Sequence, residues 1–198
     1  MGEKETVTLF HSFHPFFHKQ VVQLITGGNL LHWSQPERTY AVTFRLADSL
    51  PAHVVNGFLK EYDFLYADVP ESERPLRIQV IRRKMMEYLD MGYRECLLKK
   101  PEVRRIVEES LAYVGRNSAR MHAYVIMPNH VHLLFETHEG VTIQQLLHSL
   151  KQYTAKQVNA LLRRKGRLWQ SEYFDRMVRS QKHYYRAGAT FSTILAIA

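Results

Sequence analysis

Apolar and polar residues alternate along Thr39–Leu46 (TYAVTFRL), the period of a strand with one buried face, and β-branched and aromatic residues fill it. Asp48-Ser49 then offers an N-cap with Pro51 in the first turn, which predicts a helix through about Leu65. A second helical patch, IQVIRRKMMEYLDMG, stops at Gly92. From Pro101 the apolar positions Val103, Ile106, Val107, Leu111 and Val114 recur with the helical period, an amphipathic helix that closes at Gly115. Two strand-like runs, Ser118–Met127 and His130–Glu136, meet at Pro128-Asn129. Ile143, Leu146, Leu147, Leu150, Val158 and Leu161 mark a long helix that Gly166 ends, and SEYFDRMVR reads as a last strand. The predicted order of strand, helix, helix, strand, strand, helix, strand describes an α+β domain, an antiparallel sheet with helices packed on one face. Residues 1–38 mix His and Phe with turn formers and hold no sustained period, so they read as an N-terminal extension to a domain spanning 39–186.

Composition narrows the class. A chain of 198 residues with 45% hydrophobic and 23% charged residues carries one well-cored globular domain, not a disordered one. The formal charge of +8 and pI near 9.6 favour polyanions, nucleic acid first. Cys96 is the single cysteine, so neither an internal disulfide nor a cysteine-built zinc site is available, and a reducing cytoplasm is the expected setting. No apolar run approaches the length of a membrane span, so no membrane partner is expected.

The chemistry sits in YVIMPNHVHLLFE, Tyr124 to Glu136. Residues two apart on a strand point to one face, so His130 and His132 can aim their imidazoles at a single cation. The alternative is one packed His and one that caps the turn at Pro128-Asn129. His11, His14 and His18 also fit a helical ligand spacing, but Pro15 interrupts the helix they would need. Farther on, Lys151, Lys156, Arg163, Arg164, Lys165, Arg167, Arg176, Arg179, Lys182 and Arg186 face only Glu172 and Asp175. Tyr153, Trp169, Tyr173, Tyr184 and Tyr185 are interleaved with them, the mix of cations for phosphates and rings for bases that a single-stranded nucleic-acid groove uses. The RRKGR turn at 163–167 reads as a phosphate contact, Phe174 as core, and Tyr153 as packing or a DNA contact.

Together MPNHVH, SLKQYTAKQVNALLRRKGRLWQSEYFDRMVR and TYAVTFRLADSLP resemble the single-tyrosine HUH transposases of the insertion-sequence-200 type, most closely the REP-associated tyrosine transposases. The resemblance runs from about Leu31 to Tyr185. It implies a ferredoxin-like palm, His130 and His132 as ligands of Mg²⁺ or Mn²⁺, and single-stranded DNA, often beside a hairpin, as substrate for a monomer or homodimer. It further implies a tyrosine that attacks the scissile phosphate, leaving a 5′-phosphotyrosine and a free 3′-OH. Lys151, Lys156, Arg163, Arg164, Lys165, Arg167, Trp169, Arg176 and Arg179 are the candidate DNA contacts.

In such proteins the nucleophile lies in a motif like Tyr-Ile-x-x-Asn-Pro on a final helix. The matching positions here are near Ala189 or Thr190, neither of which is a tyrosine, so 187–198 reads as an aberrant tail and cleavage as impaired. Tyr185, or Tyr184, is the fallback. Codons for Ala189–Leu195 exist whose shifted frame reads Tyr-Ile-Gln-Tyr-Asn-Pro, which makes a frame change the expected origin of the tail. The competing expectations are a hairpin or single-stranded DNA-binding protein without chemistry, and a metal-dependent hydrolase that uses water.

Overall fold

The structure, a computed structural model, describes residues 23–26, 31–34, 37–70 and 72–185. Two short strands, β1 (Gln23–Thr26) and β2 (Leu31–Ser34), pair antiparallel within the region whose sequence shows no period. Runs of four residues are too short to display one. The main sheet comprises β3 (Thr39–Arg45), β4 (Ala119–Ile126), β5 (His130–Thr137) and β6 (Phe174–Met177), in the order β4-β5-β3-β6 and antiparallel throughout. A bulge between Met121 and Ala123 interrupts the register of β4 with β5.

The alternation read in β3 and β5 sorts their residues onto two faces. Tyr40, Val42 and Phe44 with Val131, Leu133 and Phe135 lie on one face, each at most 2% exposed. Helices α3 (Pro101–Asn117) and α4 (Ile143–Leu161) cover it with Val103, Val107 and Leu111 and with Ile143, Leu147 and Leu150. Each such side chain fully removed from water contributes about 1.5–3 kcal/mol, so this layer supplies most of the apolar stabilisation. A capping box fixes the start of α4: Thr142 Oγ1 accepts from Gln145 N, and Gln145 Oε1 accepts from Thr142 N, each at 3.2 Å. On the opposite face Val125 and Leu134 form a smaller cluster with Ala41, Ala123, Val178 and Tyr184. Tyr184 belongs to a helical turn at 181–185.

Between β3 and β4 the chain forms three helices, one for each helical stretch read there although the predicted order counts two: α1 (Ala52–Asp68), α2 (Arg74–Asp90) and α3, with a 3-10 turn at Leu97–Lys99. The first two make a hairpin with its own core of Leu50, Phe58, Leu65, Ile81, Met85 and Leu89, against which Phe174 of β6 packs. Asp48-Ser49 does not cap α1; Pro51 holds that position, and the buried Ser49 hydroxyl instead accepts from Arg45. Gly92 follows α2 at φ +67°, the left-handed region that turns the chain back toward α3. The helix predicted to close at Gly115 continues to Asn117, and α4 ends at Leu161, five residues before Gly166. Among the described residues no helix is long and apolar enough to cross a membrane.

Candidate functional site

His130 and His132 lie on the face of β5 away from α3 and α4, and their Nε2 atoms stand 2.9 Å apart with the rings nearly perpendicular at 87°. Each ring is held from behind. Asn129 Oδ1 accepts from His130 Nδ1 at 2.8 Å, and Asn129 Nδ2 donates to the Leu89 carbonyl at 3.1 Å, which fixes the carboxamide orientation. His130 therefore keeps its proton on Nδ1 and presents a lone pair at Nε2. His132 Nδ1 meets Thr43 Oγ1 at 2.8 Å, a hydroxyl that can donate or accept and so suits either tautomer. Thr43 is the register partner of His132 across β3 and β5.

The donor set fits a divalent ion. An ion bonded to two imidazoles at about 2.1 Å and near a right angle sets the nitrogens about 3 Å apart, close to the observed spacing. Carbonyl or hydroxyl partners behind ligating rings are the usual second layer of a metal site. Asp90 Oδ1, at the end of α2, lies 3.7 Å from His130 Nε2, and burial together with Glu87 raises its carboxyl above the ordinary range. No group of three or more His, Cys, Asp or Glu side chains assembles into a metal cluster among the described residues.

Burial pushes the His130 imidazole down to about 3, with His132 beside it adding to the effect, and burial pushes His132 down to about 4. Both rings are neutral in the native state at pH values where the unfolded chain's histidines, near 6.5, take up protons. Below pH 6.5 the unfolded state thus binds more protons, and stability falls as pH drops from 6.5 toward 4, by at most about 1 kcal/mol per pH unit for each ring. His122, lowered chiefly by burial, acts in the same direction. Thermal melts in chelator at pH 7, 6 and 5 are expected to show a midpoint that falls with each step. A level midpoint across that range would mean the rings are not held neutral.

The basic third divides by exposure. Lys156, Arg163, Lys165, Arg167, Arg176 and Arg179 are exposed, and Arg164 and Lys151 are half-buried. The RRKGR turn follows α4 with Arg163 at φ +50° and Gly166 at φ +98°, and Asn159 Nδ2 donates to the Gly166 carbonyl at 2.8 Å. Trp169 is corrected from a base-stacking contact to a core residue. It is 3% exposed, packs edge-on to Phe44 at 4.8 Å between centroids, and donates from Nε1 to Thr154 Oγ1 at 2.8 Å. Phe174 is half-buried and packs against the core of the α1–α2 hairpin, and Tyr153 is exposed.

Tyr184 packs on Val125 and Leu134, and Val125 is the register partner of His132, so the turn at 181–185 sits on the histidine face of the sheet. Tyr185 is 65% exposed beside it. Ala189, Thr190, Arg186 and the histidines at 11, 14 and 18 lie outside the described residues. Asn129, Thr43, Asp90 and Arg45 join the site without having been singled out in the sequence. Asn129 had a signal, as the residue directly before His130; the other three depend on pairing that no local pattern reveals.

Residues 89–184 match the family model of IS200-like transposases. Among solved structures the chain is similar to a REP-associated tyrosine transposase bound to a REP hairpin, at 13% identity over 80% of this chain and 67% of that one, with a TM-score of 0.50. It also aligns with a candidate transposase from Deinococcus radiodurans R1 at 13% identity, covering 86% of this chain and 97% of that one, with a TM-score of 0.34. At such identity the first likeness is one of fold, and the ferredoxin-like α+β expectation holds. No curated protein matches the chain.

Proposed function

We propose that this chain, whose residues 89–184 match the IS200-like transposase family model, is a transposase of that family and engages single-stranded or hairpin DNA at a metal-assisted strand-cleavage site centred on His130 and His132. The observation that carries this reading is the convergence of two neutral Nε2 atoms to 2.9 Å with both Nδ1 atoms tied down behind them. Mg²⁺ or Mn²⁺ held there supplies Lewis acidity to a phosphoryl oxygen. The chain's own part is to keep both rings neutral and aimed, and to hold the strand with the exposed cations after α4, Lys156, Arg163, Lys165 and Arg167.

In the covalent route a tyrosine phenol bonds to phosphorus, the bond to the 3′-oxygen breaks, and a 5′-phosphotyrosine and a 3′-OH remain. The positions that match the family's tyrosine, near Ala189 and Thr190, carry no phenol, so Tyr185 is the candidate nucleophile and turnover is impaired. A displacement of about 1 Å from productive geometry costs roughly a hundredfold in rate. The domain limits of 39–186 and 187–198 belong to the same proposal.

The test is a labelled hairpin oligonucleotide with a single-stranded flank, incubated with Mn²⁺ and resolved under denaturing conditions. A slow adduct that Tyr185→Phe removes supports the reading. Salt-sensitive binding with neither adduct nor nick makes the chain a non-catalytic DNA-binding protein, and nicks without adduct assign the attack to water.

A further inference from the structure

Arg45 ends β3 directly opposite His130 in the ladder and is 8% exposed. Its Nη1 donates to Ser49 Oγ at 3.0 Å. That is the guanidinium's one hydrogen bond among the described residues, and no carboxylate pairs with it there. A guanidinium carries five N–H donors and is normally buried only against a carboxylate or another full set of acceptors. Burial alone lowers its proton affinity, to about 10, so it remains a cation at neutral pH.

Its surroundings add positive charge. The Arg45 carbonyl accepts from Gln170 N at 2.9 Å, which joins the end of β3 to the segment lining a groove of about 660 Å³ along α4. Lys151, in that groove, donates to the Ser171 carbonyl at 2.8 Å. Burial pushes its ammonium down to about 8, with Arg167 and Arg45 lowering it further and Glu172 opposing them. Among the described residues, a buried cation with no paired carboxylate, opposite His130 in the ladder and within electrostatic reach of Lys151, is suited to take an anion.

We propose that Arg45 binds a phosphate oxygen of the DNA strand beside the His130–His132 pair, with Lys151 holding the strand farther along the groove. This rests on the reading of the chain as a DNA-engaging transposase. Arg45 is then a substrate-binding residue whose fork matches two phosphate oxygens, which a lysine cannot reproduce.

The experiment compares the parent with Arg45→Met, a change of similar volume that removes the charge. The free protein's thermal midpoint and its affinity for the hairpin oligonucleotide across a salt series are both measured. The expected result is a midpoint unchanged or raised, affinity at least about tenfold lower, and a log affinity against log salt slope shallower by about 0.7–0.9, one phosphate contact. Parent-like affinity and slope would overturn the proposal. If Arg45→Met does not fold, Arg45→Lys is read instead: a clear loss of affinity at unchanged slope supports it, and parent affinity overturns it. A phosphate arm separates this inference from the function it rests on. If the parent binds no DNA, the DNA reading fails, and with it the DNA strand as the ligand of Arg45. Phosphate that raises the parent's midpoint above chloride at equal ionic strength, but not that of Arg45→Met, then reassigns the residue to free phosphate; equal effects on both remove any anion role.

Discussion

Replacing His130 and His132 together with alanine abolishes Mn²⁺ binding and any metal-dependent cleavage, while affinity for the hairpin oligonucleotide stays within about threefold, since the strand is held by phosphate contacts made elsewhere. The pair supplies the two nitrogen donors that converge, and among the described residues their loss leaves only Asp90 beside that position, too few donors to seat the ion firmly. Disturbing a single outer partner of a metal ligand already costs about 10–100-fold in affinity, and loss of both ligands exceeds that. Calorimetric titration of Mn²⁺ into parent and double variant at pH 7 reads the effect directly. Equal affinity in the two would mean that the imidazoles hold no ion.

Asn129→Ala is the second large effect. Asn129 is fully buried, and its carboxamide bridges the Leu89 carbonyl at the end of α2 to His130 Nδ1, while its backbone carbonyl accepts from Leu46 N at 2.8 Å. Truncation leaves the buried His130 Nδ1–H without its partner, which costs about 1–3 kcal/mol, and takes one donor from the Leu89 carbonyl, which still accepts from Gly92 N. Urea unfolding is expected to show a loss of about 1–3 kcal/mol, and Mn²⁺ affinity to fall about 10–100-fold as His130 loses its orientation. Asn129→Asp separates the two roles: it keeps an acceptor for His130 Nδ1 but withdraws the donor to Leu89. Stability should drop while Mn²⁺ affinity stays near the parent. Equal stability in parent and Asn129→Ala would remove Asn129 from both roles.

How far the sequence discloses this arrangement depends on how local each cause is. The strand alternation of β3 and β5 and the stripes of α3 and α4 are carried by neighbouring residues, so their existence and faces are legible. So is the shared direction of His130 and His132, which needs only the two-residue period of a strand. Helix α2 is less plain, because Arg82, Arg83 and Lys84 interrupt the stripe of Ile81, Met85 and Leu89, and Pro75 resembles a loop residue although it stands in the first turn. Helix α3 runs past Gly115 because the backbone bond from Ser118 N to the Val114 carbonyl continues without it, whereas α4 stops short of Gly166. Trp169 sits among cations in sequence, yet Phe44 and Thr154, distant in the chain, decide that it is core. Thr43, Asp90 and Arg45 are set by register with β5 and by the reach of α2, neither of which a single strand of text encodes.

The two margins of the main sheet have a consequence for self-association. One border, β4, is interrupted by the bulge at Met121 and Ala123, and the other, β6, is four residues long and carries Asp175 and Arg176. Bulges, brevity and charge all frustrate the docking of a foreign strand onto exposed amide groups. Among the described residues, the main sheet therefore offers two copies of this molecule no flat rim along which to zip into one continuous ribbon.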